Sequence, residues 1–368
     1  MSISRRSRWA APVALAMGGC LAFGVAGCTV PTHAAVDAPT ATAAQPGGAS
    51  GDEALARLIR PSFTGDTDRV AVAVIEADGD VRTAFLDADA TTAFEIGSIT
   101  KAFTGEMLAQ AVDRGEVELD DPIGEYLDLG DSPAASVTFA ALAKHRSGLP
   151  TFPVDDPEWV DRVTTAVEAG EDPFDETLDE LLAEARSVAL APDPGFEYSN
   201  IGAALTGQAL AAAAGTDYAS LLQRRLFDPL GLEHAILALD PDDVPATHAG
   251  GHEADGRSVE PATLAAYAPA GGIHATVDDL VGFAQGVIDG PIADSAAQQG
   301  VDDMGYFWGV SDHDGRTVVS HSGMTAGFSS SLLVDRTTGT AAVVLWNGNG
   351  GVDDVGETLL ESVAPPTD

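Results

Sequence analysis

Three short stretches of the chain carry side chains that could act on a carbonyl group. In Ser98-Ile99-Thr100-Lys101 a hydroxyl precedes an amine by three residues, and on a helix those positions share a face. An amine beside a hydroxyl can take its proton when burial or nearby positive charge keeps the amine neutral. A helix start also presents backbone N–H groups that can hold an oxyanion. The competing reading is a helix start with a surface lysine. Tyr198-Ser199-Asn200 is more discriminating, because the chain has five tyrosines and only three asparagines. Its phenol could pass a proton between nucleophile and leaving group, and its amide could hold a carbonyl. The alternative is a loop tyrosine followed by an asparagine capping the next helix. His321-Ser322-Gly323 is the third stretch. His248-Ala249-Gly250 and His313-Asp314-Gly315 share its pattern, but His321 is expected to end a strand, Thr317 to Ser320, before a small-residue loop. His248 and His313 are expected in solvated loops or turns.

Elements from both ends of the chain must bring these groups together. Leu55, Leu58 and Ile59 mark a short amphipathic helix from Glu53, and Arg69 to Glu76 is an apolar β-type run. The turn Asp78-Gly79-Asp80 returns it through Val81 to Leu86 as a hairpin. From Thr100 the apolar spacing turns helical and stops at Gly115. The sequence then stays mostly helical to about residue 265, most clearly in Leu181 to Ala189 and Ile201 to Ala214. Strands return at Arg316 to His321, Ser329 to Asp335 and Thr340 to Trp346, and a helix over Val352 to Val363 closes the chain. The expected fold is α+β: an antiparallel sheet built from both chain ends, flanked by helices, with an all-α lobe inserted at about 115–265. A cleft between sheet and lobe is a natural small-molecule site. Trp308 and Phe328 would line it or pack in the core. The pairs Asp120-Asp121 and Asp278-Asp279 read as caps or solvated charge.

Composition narrows the function. The 368 residues are 45% hydrophobic and 20% charged, and acidic residues outnumber basic ones 57 to 18, for a net charge of −39. Such a chain buries a core and repels phosphate backbones, which argues against a nucleic-acid partner. Lys101 and Lys144 are the two lysines. Both cysteines, Cys20 and Cys28, lie at the start, so the rest has neither a disulfide nor a cysteine-based zinc site. No histidine pattern has metal-ligand spacing, and neither a metal nor a cofactor is expected. Residues 1–27 read as an export signal, with Arg5, Arg6 and Arg8 before an uncharged stretch. Val25-Ala26-Gly27-Cys28 resembles a lipobox, which would make Cys28 a lipidated N-terminus holding the protein to the outer face of the cell membrane. Residues 28–52 read as a flexible tether, and 53–364 as the folded domain.

Taken in chain order, the three stretches resemble those of the serine β-lactamase and penicillin-binding superfamily. Further stretches carry the resemblance: Phe94-Glu95-Ile96-Gly97 before Ser98, Lys144-His145-Arg146-Ser147-Gly148-Leu149-Pro150, Pro194-Gly195-Phe196-Glu197 before Tyr198, Ala270-Gly271-Gly272-Ile273, and Gly327-Phe328. The likeness is to the branch with class C β-lactamases, Streptomyces-type D-alanyl-D-alanine carboxypeptidases and related esterases. It implies Ser98 as acyl-forming nucleophile and Lys101 and Tyr198 as the proton-handling pair, their division of labour open. It implies Asn200 orienting the substrate amide, His321, Ser322 and Gly323 binding substrate, and the N–H groups of Ser98 and Met324 as the oxyanion hole. A cell-wall D-alanyl-D-alanine peptide is the implied substrate, with a β-lactam or a small ester as alternatives. A trap that keeps its acyl adduct is a rival of another class. His321 stands where many relatives have lysine, so a substrate anion would be held less well as pH rises through an ordinary imidazole pKa. The branch's carboxylate-binding arginine has no counterpart after Tyr306-Phe307-Trp308-Gly309-Val310, and Arg316 is the nearest arginine.

Overall fold

The computed structural model describes residues 48–300, 303–313 and 315–364. The leader and Cys28 lie outside them. The strands are β1 (Ala49–Gly51), β2 (Val70–Ile75), β3 (Val81–Leu86), β4 (Phe94–Glu95), β5 (Ile236–Leu237), β6 (Ile273–Ala275), β7 (Gly309–His313), β8 (Arg316–Met324), β9 (Ser329–Asp335) and β10 (Thr340–Trp346). Seven form one antiparallel sheet in the order β1-β3-β2-β10-β9-β8-β7. Both chain ends supply it, as the pattern of apolar runs implied. A small sheet, β4-β6-β5, sits apart.

The helices that position the site are α1 (Glu53–Ile59), α2 (Thr100–Asp113), α3 (Phe139–Ala143), α4 (Pro157–Ala169), α5 (Leu178–Ser187), α6 (Asn200–Ala213), α7 (Val277–Ile288) and α8 (Asp353–Val363). β2 is apolar at every position because both faces of the sheet are covered. Val70, Val72 and Val74 point into a cluster with Leu55 and Ile59 of α1 and Leu359 and Leu360 of α8. Ala71, Ala73 and Ile75 face the other way, into the main core with Leu280, Phe283 and Val287 of α7. Phe283 stacks on Phe103 of α2 at 3.7 Å and on Trp308 at 5.8 Å, which locks α2 against α7. Trp308 and Phe328 are therefore core residues, 0% and 1% exposed. Thr276 and Asp279 form a reciprocal capping box at the start of α7, so Asp279 is a cap.

Three features depart from the sequence expectation. β7 and β5 lack an alternating apolar face and left no signal. β8 does not stop at His321 but runs on through Ser322, Gly323 and Met324. Small residues suit a strand there because an added Cβ at Gly323 would lie 2.0 Å from the Ile96 carbonyl oxygen. The helical lobe also includes strand β5.

Glu106 of α2 is fully buried, and its Oε1 accepts hydrogen bonds from Gln298 Nε2 and Trp308 Nε1, both at 2.9 Å. The Gln298 Oε1 has no partner among the described residues, and a protonated Glu106 carboxyl would bring a donor to this cluster. Burial raises its pKa from 4.5 to about 7. Between those values the unfolded chain binds fewer protons, so stability falls as pH rises from about 4.5 to 7 and stays lowered above. The loss is about 3 kcal/mol. Glu106→Gln keeps the acceptor and supplies the donor. Thermal unfolding at pH 5 and pH 8 should show a smaller difference in the variant than in the parent; equal differences would assign the pH dependence to other groups.

Candidate active site

Ser98 lies in a 3-10 turn, Gly97–Ile99, that runs straight into α2. The turn hangs from the small sheet: β4 leads into it, and Ile96 N–H donates to the Ile273 carbonyl at 3.0 Å. Gly97 has φ +50°, and an added Cβ would lie 2.7 Å from the Met324 nitrogen and 2.9 Å from its carbonyl oxygen. Only glycine allows β8 to come this close. The backbone of Met324 thus lies directly against the turn that carries Ser98. As the second residue of the turn, Ser98 has an N–H without an acceptor in that turn.

Lys101, one turn on, is fully buried. Its Nζ lies 3.1 Å from Ser98 Oγ, 2.7 Å from Asn200 Oδ1 and 2.6 Å from the Ala270 carbonyl oxygen. The last two can only accept, so a neutral amine gives them its two N–H groups and keeps its lone pair for the Ser98 hydroxyl. All three partners are uncharged. Nζ also sits 4.9 Å from the centre of the Tyr198 ring. A cation–π contact is worth up to about 2 kcal/mol, whereas burying an ammonium without a counter-ion costs several. Desolvation wins, and the Lys101 pKa falls well below its ordinary value. The surface-lysine reading is thereby excluded.

The second stretch arrives from the lobe. Ser199, not Asn200, caps α6: its Oγ accepts Gly202 N–H at 2.9 Å. Asn200 is free of capping duty, and its side chain reaches Lys101. Tyr198 is fixed through its neighbours. Its carbonyl accepts Thr151 Oγ1 at 2.6 Å, while Glu197 N–H donates to the His145 carbonyl at 2.8 Å and Ser199 N–H to His145 Nδ1 at 3.1 Å. Since Nδ1 accepts there, a neutral His145 carries its proton on Nε2. Its ring lies 4.5 Å from that of Tyr198. Burial, then the positive charges that Lys101 and His321 would carry, hold the His145 pKa well below normal. Burial pushes the Tyr198 phenol up, with the Ser98 hydroxyl opposing. His145 Nε2 is buried without a hydrogen-bond partner among the described residues, whereas the Tyr198 hydroxyl has the Ser98 hydroxyl beside it. The part of His145 and of the Ala270 carbonyl was not read from the sequence. The stretches containing them stood out, but a carbonyl's role leaves no mark on residue type.

His321 points toward Tyr198, ring centres 6.5 Å apart, and its Nδ1 contacts the Ser322 carbonyl at 2.7 Å. A carbonyl can only accept, so Nδ1 carries the proton. The ring is half-buried in a dense setting. Desolvation and the nearby Lys101 amine lower its pKa to about 3, against the Ser322 contact. Its surroundings therefore disfavour the charged imidazole that an ordinary pKa would allow near neutrality. Arg316 also fails to reach. It sits at the far end of β8, paired with buried Asp335 at 2.9 Å. Ser322 alternates to the opposite face of β8, where its hydroxyl faces Asp353, so only its backbone reaches the site. His248, expected in solvent, is largely enclosed and contacts Glu95 at 3.2 Å. His313 ends β7, half-buried against Ser311 at 3.0 Å.

Pairing explains why the end of β8 has backbone groups outside the ladder. Thr325 N–H donates to Phe328 and Arg336 N–H to Thr317, so odd-numbered residues of β8 exchange hydrogen bonds with β9. By the antiparallel alternation, Ser322 and Met324 turn their N–H and C=O groups the other way. β7 would receive them, but its pairing stops at Gly309 opposite Ser320. The Met324 N–H is thus left beside the Ser98 turn. Gly97→Ala should force the two backbones apart. Its rate of acylation by a β-lactam or ester should fall at least about tenfold, since small misplacements of reacting groups are costly. An unchanged rate in a folded variant would show that this contact is dispensable.

Comparison with known proteins agrees with this geometry. Residues 55–364 match the family described as Beta-lactamase. Penicillin-binding protein 4 of Amycolatopsis lactamdurans is 27% identical over 69% of this chain and 72% of its own length. D-alanyl-D-alanine-carboxypeptidase/endopeptidase AmpH of Escherichia coli (strain K12) is 30% identical over 52% of this chain and 47% of its own. The chain spans between about a quarter and three quarters of the length of the curated relatives it matches. A class C β-lactamase from Rhodobacter sphaeroides superposes with a TM-score of 0.69 at 22% identity, covering 84% of this chain and 99% of that one. That likeness speaks to the fold. With the family match covering nearly all of the folded domain, the chain belongs to the β-lactamase family, within the serine β-lactamase and DD-peptidase superfamily.

Proposed function

We propose that the protein is a serine hydrolase that works through an acyl-enzyme, with Ser98 as nucleophile. The observation that carries this reading is the fully buried Lys101, without a counter-ion among the described residues and hydrogen-bonded to Ser98 Oγ. A neutral Lys101 takes the hydroxyl proton as Oγ bonds to the carbonyl carbon. The oxyanion falls between the N–H groups of Ser98 and Met324. Collapse breaks the bond to the leaving group, which receives a proton through Lys101 and Tyr198 acting together. Water then adds to the acyl carbonyl, and Oγ leaves with a proton returned by the same pair. Asn200 holds Lys101 and meets the substrate amide.

For the substrate we propose a D-alanyl-D-alanine-type peptide of the cell wall, the activity named in one relative. A small uncharged ester is the second reading. It is favoured by a neutral His321 and by an Arg316 committed to Asp335. On the sequence of the leader, we further propose export and anchoring through a lipid on Cys28. Metabolic lipid labelling that persists in Cys28→Ser would remove that part.

One experiment tests the chemistry. Wild type and Ser98→Ala are incubated with a D-alanyl-D-alanine peptide, a chromogenic cephalosporin and a nitrophenyl ester, with mass spectrometry following the protein. Transient acylation with turnover, lost by at least about a thousandfold in the variant, is expected for a nucleophile, and the three rates rank the substrates. A stable adduct on Ser98 would mark a trap. Equal turnover by Ser98→Ala would overturn the reading.

A further inference from the structure

The Ala270 carbonyl that meets Lys101 is presented by a segment whose backbone is strained. Leu264 (φ +57°, ψ −2°) and Ala265 (φ +38°) are consecutive non-glycine residues in the left-handed region, which Cβ atoms disfavour. Such conformations persist only where their surroundings over-determine them, and they concentrate at functional sites. Here the surroundings come from the loop between α4 and α5. Asp172 Oδ2 accepts Thr263 N–H at 2.7 Å, Thr263 Oγ1 at 2.8 Å and Leu264 N–H at 3.4 Å. Its other oxygen accepts Phe174 N–H at 3.1 Å, and the Glu176 carbonyl accepts Ala266 N–H at 3.0 Å. One carboxylate thus takes both N–H groups leading into the strained pair.

After the pair the chain makes a single helical turn, Ala268–Gly271. Pro269 gives its carbonyl to Thr104 Oγ1 at 2.8 Å, and Ala270 gives its carbonyl to Lys101. Leu264 backs this turn: an added Cβ at Gly271 would lie 3.0 Å from Leu264 Cδ1, and 3.7 Å from the Gly97 carbonyl carbon. Leu264 thus packs against the turn that carries the Ala270 carbonyl. We infer that Asp172 is a positioning residue, holding the Leu264–Ala265 turn so that the Ala270 carbonyl stays on Lys101. The inference rests on the proposed role of Lys101 as the group that takes the Ser98 proton.

Asp172→Asn keeps the size but puts an NH2 group against N–H donors. With a nitrophenyl ester, kcat should fall at least about tenfold with KM changed less than about twofold, because the misplaced group acts in the chemical step. Ala265→Gly removes the strain at φ +38°, so Asp172→Asn/Ala265→Gly should regain most of the lost kcat. A purely structural Asp172 would lower the melting temperature and leave kcat of the folded fraction intact, which would overturn the inference, as would failure of the glycine to rescue. Thr263→Val is the milder probe should Asp172→Asn not fold. It deletes one donor to Asp172 and should lower kcat severalfold; wild-type kcat there would also overturn the inference. Ser98→Ala, run alongside, separates the outcomes. If it retains activity the hydrolase reading fails; if it is dead while the Asp172 variants keep full kcat, only the role of Asp172 fails.

Discussion

An amine buried without a counter-ion is the constraint that organises this molecule. Lys101 Nζ meets three groups, and each of them is neutral. Water would solvate the ammonium far better, so the fold must supply enough packing to keep water out. The Phe103, Phe283 and Trp308 stack behind α2 contributes to this, and so does the close fit of α2 against the segment around Pro269. The acceptors come from three separate parts of the chain: the nucleophile turn, the start of α6 and the segment before β6. Displacement of any of them leaves an unsatisfied polar group in a dry interior, which is costly. The site is thus specified by the same interactions that hold the lobe to the sheet.

The basic groups around Tyr198 reinforce one another's neutrality. Lys101, His145 and His321 share a small volume, and charge on one disfavours charge on the others. Backbone contacts fix the protons: Ser199 N–H occupies His145 Nδ1, and the Ser322 carbonyl occupies the His321 Nδ1 proton. The surroundings of Ser98 are therefore polar but carry little net charge, in contrast to a strongly acidic chain. The Tyr198 hydroxyl stands beside that of Ser98 within this neutral group.

Side-chain chemistry was legible in the sequence where it depends on residue type. Ser98, Lys101, Tyr198, Asn200 and His321 all come together, and β2, β9 and β10 appear where their apolar runs predict. What depends on the main chain was not legible. The Ala270 carbonyl, the edge strand β7 and the extension of β8 involve groups that every residue possesses. The ionisation of His321 is not legible for a related reason, since an imidazole's pKa is set by neighbours that only folding supplies. His248 was assigned to solvent because a Gly-flanked histidine looks like a loop residue, yet Glu95 and Phe328 enclose it.

The early end of β7 leaves a short rim on β8, where Ser322 and Met324 point their peptide groups outward beside Ser98. Neighbouring groups of this kind recur about every 7 Å along a strand. A ligand whose peptide groups repeat at that spacing would meet the rim as a neighbouring strand does, through its main chain. Successive substituents of an extended ligand alternate in direction, so such a contact would respond to the handedness of its residues.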